Sequence, residues 1–268
     1  MTSDPTRAAV RTPLAPMFAE PRVASAQISQ LVAGRIVELC EKRDDWYRVI
    51  GPDEYEGWLH RGYLTPVPDD STRQSGHLAR VSLGCVTTDG QGGRRAMPLG
   101  ALLAPEERVK TGEAIAAAEQ ASRFPTEAGA ITRSAQQFFE GTSYLWGGVT
   151  PWGADCSGIV QATFSLHGVQ LRRDAWQQAE QGAPGEEELF DARMADLLFF
   201  SDRVDDHITH VAIALGERRL VHLALGRGGY AVEKLDDERD PYVAKLRERF
   251  VFARRILAPV MMATEAAD

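Results

Sequence analysis

Apolar and polar positions alternate in short runs early in the chain, at Ile36-Val37-Glu38-Leu39-Cys40, Trp46-Tyr47-Arg48-Val49-Ile50 and Glu56-Gly57-Trp58-Leu59, with Asp, Gly and Pro between them. Short period-two runs broken by turn residues predict a small β-barrel over residues 23 to 67. Pro66-Val67-Pro68-Asp69-Asp70-Ser71-Thr72 reads as a linker. A second strand-rich unit follows: Leu78 to Thr87, a Gly90-Gln91-Gly92-Gly93 turn, and Met97 to Leu103. From Thr126 the spacing turns helical, with Ile131, Ala135, Phe138 and Phe139 on one face and Gly141 as the stop. A second helical stretch runs from Cys156 toward Gly168, and strand-like runs return at Leu197 to Phe200, His210 to Leu215 and Leu220 to Leu225. Helix first and antiparallel sheet afterwards is an α+β pattern. The expected division is a barrel over 1–68, a second β unit over 69–124 and an α+β domain over 125–268.

At 268 residues the chain has room for such a division. Its 30 basic and 38 acidic residues leave a net charge of -8. That balance disfavours nucleic acid and anionic membrane surfaces as partners and suits a small, partly cationic ligand. Met1 to Arg7 lack the apolar core of a signal peptide, and no run approaches the roughly 18 residues of a membrane span. The expectation is a cytoplasmic protein.

Cys40, Cys85 and Cys156 show no C-x-x-C spacing, so neither a disulfide framework nor a zinc site is expected. Cys40 and Cys85 sit in strand-like text and are expected as small buried hydrophobes. His207-Ile208-Thr209-His210 has a metal-like spacing, but positions i and i+3 of a strand face opposite ways. No metal and no cofactor is expected.

Cys156 differs from the other two cysteines in its address. The turn Trp152-Gly153-Ala154-Asp155 runs straight into the helical stretch, which places the sulfur at a helix N-terminus. Free N–H groups and the helix dipole favour negative charge there, so a thiolate nucleophile is expected. Such a nucleophile needs a base, and the base needs an orienting group. His210 shares a strand face with Ala212 and Ala214, and His222 shares one with Ala224. These small neighbours are expected to leave room for a substrate and for the end of the Cys156 helix. If the two strands form a hairpin, His210 and His222 align only when the loop count is odd. A clean two-residue turn at Glu217-Arg218 would put them on opposite faces.

In order and spacing, Tyr144-Leu145-Trp146-Gly147-Gly148, Asp155-Cys156-Ser157-Gly158, Asp196-Leu197-Leu198-Phe199-Phe200, His210-Val211-Ala212-Ile213 and Val221-His222 resemble the NlpC-type family of papain-like cell-wall cysteine peptidases. The resemblance covers about residues 126 to 260. It implies a papain-like α+β catalytic domain, with Cys156 as nucleophile, His210 as base and His222 as orienter. It also implies that Tyr144 lines the site; Asp155, Ser157 and Trp146 are further substrate-binding candidates, with the Trp146-Gly147-Gly148 turn open either to packing against the nucleophile helix or to close approach of a ligand. Where the family usually has Pro-Gly before the Asp-Leu strand, this chain has Met194-Ala195.

The pattern of Gly34, Trp46, Gly57-Trp58-Leu59 and Tyr63-Leu64 resembles a bacterial SH3-like domain, and residues 69–124 a degenerate second copy. Members with such barrels include peptidases of L-Ala-γ-D-Glu-diamino acid fragments, in which a barrel acid and tyrosine close the cleft around the free alanine amine. Tyr55 matches that tyrosine and Glu20 the acid. Asp174 falls where the subgroup has an Asp followed by Ser, although here Ala175 follows. A buried ammonium needs carboxylates in place of its water, and Asp155, Asp174 and Glu20 are expected to converge beside Cys156.

The expected function is thus a cysteine endopeptidase that cuts the γ-D-Glu–diamino acid bond of small murein peptides during peptidoglycan recycling. The diamino acid, lysine or diaminopimelate, is left open, as is the oligomeric state. Two alternatives stand beside it: an amidase or acyltransferase built on the same site, and a non-catalytic wall-binding protein.

Overall fold

The computed structural model describes residues 6–67 and 80–257, so residues 68–72 of the expected linker lie outside it. Strands Arg7–Val10, Leu14–Phe18, Gln27–Val32, Ile36–Arg43, Trp46–Ile50, Glu56–His60 and Leu64–Pro66 form one antiparallel sheet. It closes around Ala8, Val10, Ala15, Met17, Leu31, Val37, Val49, Leu59 and Leu64. The first two strands precede the expected start at residue 23 because alanine and proline blunt their alternation: in Leu14–Phe18 the inward side chains are only Ala15 and Met17.

Cys40 corrects an expectation. Leu39 pairs with Val49 and Glu41 with Arg48, so a bulge falls at Cys40 and leaves it exposed. Cys85 is buried as expected. It sits in a second sheet, where Arg80–Thr88 pairs with Leu102–Leu103, Arg108–Ala116 and Arg94–Met97. This unit shares a core with the barrel: Cys85, Met97, Ala101 and Leu103 pack with Val32 and Ala33. The Leu102 N–H donates to the Ala33 carbonyl at 2.9 Å.

The remaining chain is α+β. Helix Ala128–Phe139 buries Ile131, Ala135 and Phe139 completely, and helix Cys156–Leu166 does so with Ile159, Val160 and Phe164. Each fully buried Ile, Val or Phe side chain among them contributes about 1.5–3 kcal/mol. Both helices pack on an antiparallel sheet whose strands run in the spatial order Ala183–Pro184, Phe250–Arg255, Leu197–Phe200, His210–Gly216, Arg219–Ala224 and Gly229–Lys234.

The helices meet the Val211, Ile213, Leu215, Val221 and Leu223 face. Ala212, Ala214 and Leu220 form a separate core with Phe200, Leu235 and Leu246, the last from helix Pro241–Glu248. The body of the Cys156 helix thus packs on the face opposite the alanines, while its first residue reaches the start of the His210 strand through the Val211 N–H. Ile159, Val160 and Phe164 need the larger apolar side chains of the other face, whereas the alanines admit Phe200 and Leu246.

The hairpin satisfies its parity by an unexpected route. Glu217 and Arg218, at φ 51° and 55°, do form the two-residue turn that should separate the histidines. Gly216 pairs with Arg219, but Ala214 pairs with Leu220 and Ile213 with Val221, so Leu215 is an extra residue. This bulge shifts the register by one and returns His210 and His222 to a common face, one diagonal apart. At the family's Pro-Gly position Ala195 takes φ 66°, a left-handed conformation that costs a non-glycine residue about 1–2 kcal/mol. The Ala195 N–H, bonded to the Ala214 carbonyl at 2.8 Å, and the Arg193 N–H, bonded to Asp196 Oδ2 at 3.0 Å, hold the turn in place.

Candidate active site

Cys156 is the first residue of its helix, and Asp155 is the N-cap. Asp155 Oδ1 accepts from the Gly158 N–H at 2.8 Å and from the Ser157 hydroxyl at 3.2 Å, while Oδ2 accepts from the Gly147 N–H at 2.8 Å. The side chain thus ties the helix start to the preceding turn. A Cβ on Gly158 would lie 2.0 Å from the Gly148 carbonyl oxygen, so the turn and helix touch backbone to backbone. Gly158→Ala should lower stability by about 1–3 kcal/mol in urea unfolding. With free space, the same change in a helix would instead stabilise by about 1 kcal/mol, so the sign of the effect tests the contact.

Arg173 lies beneath this turn and is fully buried. Its Nη2 donates to Asp155 Oδ2 at 2.7 Å, and its Nη1 to Asp155 Oδ1 at 3.1 Å and to Ser157 Oγ at 2.8 Å. Its Nε reaches Ser29 of the barrel at 3.0 Å. Nothing in the sequence reading pointed to it. Asp155 is consequently saturated by Arg173 and backbone donors and has no part in an ammonium pocket.

The expectation of a resting thiolate is corrected. Burial, reinforced by the charge of Asp155, pushes the Cys156 thiol up to about 12, against the opposing pull of the Val211 and Ser157 N–H groups and of Arg173. Here desolvation outweighs the helix end. The Val211 N–H acting on the sulfur puts Cys156 beside the first peptide of the His210 strand. His210 Nε2 and His222 Nδ1 are 2.9 Å apart. Burial, then the neighbouring His222 and Arg249, hold the His210 pKa well below the ordinary imidazole value. The resting pair is a neutral thiol and a neutral imidazole.

His222 is fully buried, and its Nε2 lies 3.3 Å from Glu233 Oε1. Arg227 grips Glu233 with two bonds, Nε to Oε1 at 2.7 Å and Nη2 to Oε2 at 2.9 Å, and also binds Asp240. Burial alone would raise the Glu233 pKa, but the bonds from His222 and Arg227 outweigh it and keep the carboxyl below its usual range. Neither Glu233 nor Arg227 was foreseen. The signal lay in strand Gly229–Lys234, where His222 pairs with Ala231 and Glu233 therefore shares its face.

The barrel reaches the same site. The Tyr55 hydroxyl donates to Asp174, at 3.2 Å to Oδ1 and 3.1 Å to Oδ2. Burial, then Asp174, raises the phenol pKa, and burial likewise raises that of Asp174. Tyr144 is also raised, by burial and then by the proximity of Cys156, so its phenol stays protonated near the sulfur. Gln27 donates to the Trp146 carbonyl at 3.0 Å, while the Trp146 side chain is largely exposed. Gly147, at φ 76°, packs against the Gln27 and Ile28 backbone, so this glycine serves close approach of the barrel. Glu20 does not join the expected carboxylates: it is exposed and ion-paired with Arg22 at 2.8 Å. Its partner lies two residues away, which leaves the carboxylate in solvent.

A cysteine at a buried helix N-terminus beside a hydrogen-bonded histidine pair, on helices packed against an antiparallel sheet, is the architecture of a papain-like cysteine peptidase. Residues 141–245 match the NlpC/P60 family and residues 14–65 the bacterial SH3 domain. The chain is 27% identical over 217 residues to the gamma-D-glutamyl-L-lysine dipeptidyl-peptidase of Bacillus subtilis, covering 72% of this chain and 71% of that one. It is 34% identical to a probable endopeptidase of Haemophilus influenzae, covering 45% of this chain and 72% of the other. A crystal structure of an NlpC/P60 family protein from Bacillus cereus shares the fold, with a TM-score of 0.78, 16% identity and coverage of 94% of this chain and 100% of that one. The chain belongs to the NlpC/P60 family, carries a bacterial SH3 domain and is a cysteine peptidase.

Proposed function

We propose that this peptidase hydrolyses the γ-D-Glu–diamino acid amide of small murein peptides whose N-terminal L-Ala amine is free. The supporting observation is the Tyr55–Asp174 pair: a barrel hydroxyl fixes a half-buried carboxylate next in sequence to Arg173, which itself binds the N-cap of the nucleophile helix. A carboxylate so placed suits an ammonium, and a barrel docked over it suits a short free peptide rather than a polymer. Recycling of released wall peptides is the setting for such a substrate.

In this reading the Cys156 sulfur attacks the γ-carbonyl carbon as its proton passes to His210. The carbonyl oxygen takes up negative charge facing the Cys156 N–H and the Tyr144 phenol. His210 then hands the proton to the departing amine as the C–N bond breaks and a thioester remains. Water, deprotonated by His210, attacks the thioester and releases L-Ala-D-Glu, and the proton returns to sulfur.

The test is a peptide panel carrying lysine or diaminopimelate, each with a free and an N-acetylated alanine, with products identified by mass. Free-amine peptides should yield L-Ala-D-Glu, and acetylation should lower kcat/KM about 10–150-fold, the worth of a charged hydrogen bond of about 1.5–3 kcal/mol. Tyr55→Phe should cost about tenfold, mainly in KM. Equal cleavage of acetylated peptides, or scission at another bond, would overturn the proposal and favour a different amidase.

A further inference from the structure

Glu233 stands outside the Cys156, His210 and His222 set, yet it meets the innermost atom of that set. Among the described contacts the chain of polar atoms runs from His210 Nε2 to His222 Nδ1, from His222 Nε2 to Glu233 Oε1, from Glu233 to Arg227, and from Arg227 to Asp240. Each link fixes the direction of the next. A carboxylate held by two arginine donors is an acceptor only, so the proton between His222 and Glu233 belongs on His222 Nε2. A neutral His222 then has a bare Nδ1, which accepts from His210 Nε2–H. With its proton on Nε2, His210 keeps Nδ1 free of hydrogen, and Nδ1 is the nitrogen left for the thiol.

We infer that Glu233 is a positioning residue that sets the tautomers of both histidines through His222 and thereby makes His210 Nδ1 the proton acceptor for Cys156. The opposite arrangement, with a donor facing His222 Nε2, moves the His222 proton to Nδ1. It makes His210 Nε2 an acceptor and loads Nδ1 with a proton, leaving Cys156 without a base. Arg227 belongs to the same device. Its two bonds to Glu233 keep the carboxylate ionised and its Oε1 oxygen turned toward His222. Tyr242 stacks edge-on against His222 with ring centroids 6.1 Å apart and lies under the Arg227 guanidinium at 4.3 Å, closing the pocket on its remaining side.

The inference rests on the peptidase reading for its consequence in turnover, but the tautomers can be read without substrate. Full-length protein labelled with nitrogen-15 in histidine should show, at pH 7.5, the proton of His210 and that of His222 on Nε2 and none on Nδ1. A proton on His222 Nδ1, or a doubly protonated His222, would overturn the inference. Glu233→Leu removes the acceptor facing His222 Nε2 and leaves the Arg227 donors free to face that nitrogen instead. This variant should shift the His210 proton to Nδ1 and lower kcat on the order of 10²–10⁴-fold with KM within about twofold. A variant that keeps wild-type kcat on a wild-type substrate would equally overturn it. If wild type cleaves no γ-D-Glu peptide, the substrate proposal falls, while the nitrogen spectra still decide the role of Glu233.

Discussion

Cys156→Ser should bind peptide and unfold like wild type while losing turnover by on the order of 10⁴–10⁶-fold, the scale seen when a nucleophile is removed from a catalytic unit. The hydroxyl fits the space but is a far weaker nucleophile at neutral pH, and a neutral imidazole at His210 does not compensate. A second outcome separates this site from one with a resting thiolate. Because burial pushes the thiol up to about 12, iodoacetamide at pH 6–7 should label exposed Cys40 before Cys156 when no substrate is bound. Rapid, selective labelling of Cys156 near pH 6 would mean that the helix end prevails over desolvation. The pH profile follows with a definite sign. His210 must be neutral to accept a proton, and its pKa is lowered well below the ordinary 6.5. The acid limb of kcat/KM should therefore fall well below pH 6.5, and activity should persist through the range where a solvent-exposed histidine would already be charged.

The place of Cys156 at a helix start and of His210 and His222 on neighbouring strands was legible in the sequence because each rests on a local rule: a turn opening a helix, and period-two alternation. What escaped depends on pairing between segments far apart in the chain. Glu233 becomes visible only once Gly229–Lys234 is a strand in register with His222, and that strand has just half-buried or exposed positions between Gly229 and Glu233 to announce it. Arg173 looks like one charge among Arg172-Arg173-Asp174 until the barrel covers it. The parity of the histidine hairpin turned on a bulge at Leu215, an apolar residue in an apolar run with no local mark. Glu20 shows the reverse limit: a family match located the acid, but in this structure its carboxylate is held by Arg22.

Arg173→Ala is the structural substitution expected to do most damage. Wild-type Arg173 is fully buried, gives Asp155 two donors and bridges to Ser157, Gly148 and the barrel residue Ser29. Removing it leaves a buried carboxylate without its cation, a loss of about 3–5 kcal/mol against a total stability of about 5–15 kcal/mol for an ordinary domain. Urea unfolding should show a midpoint shift of that size, little affected by salt because the pair is sealed from solvent. Arg173→Lys should recover only part of it, since one ammonium cannot supply the fork to Asp155 and also reach Ser29. The strongest check is Arg173→Met combined with Asp155→Asn. If the penalty comes from an orphaned charge, the double variant is less destabilised than the sum of the singles by more than about 1 kcal/mol, because neither charge remains. Simple additivity would show instead that the two residues act through packing alone. In Arg173→Ala the unneutralised Asp155 charge also lies beside Cys156 and drives its pKa further up, so the folded fraction should turn over more slowly than wild type even after correction for stability.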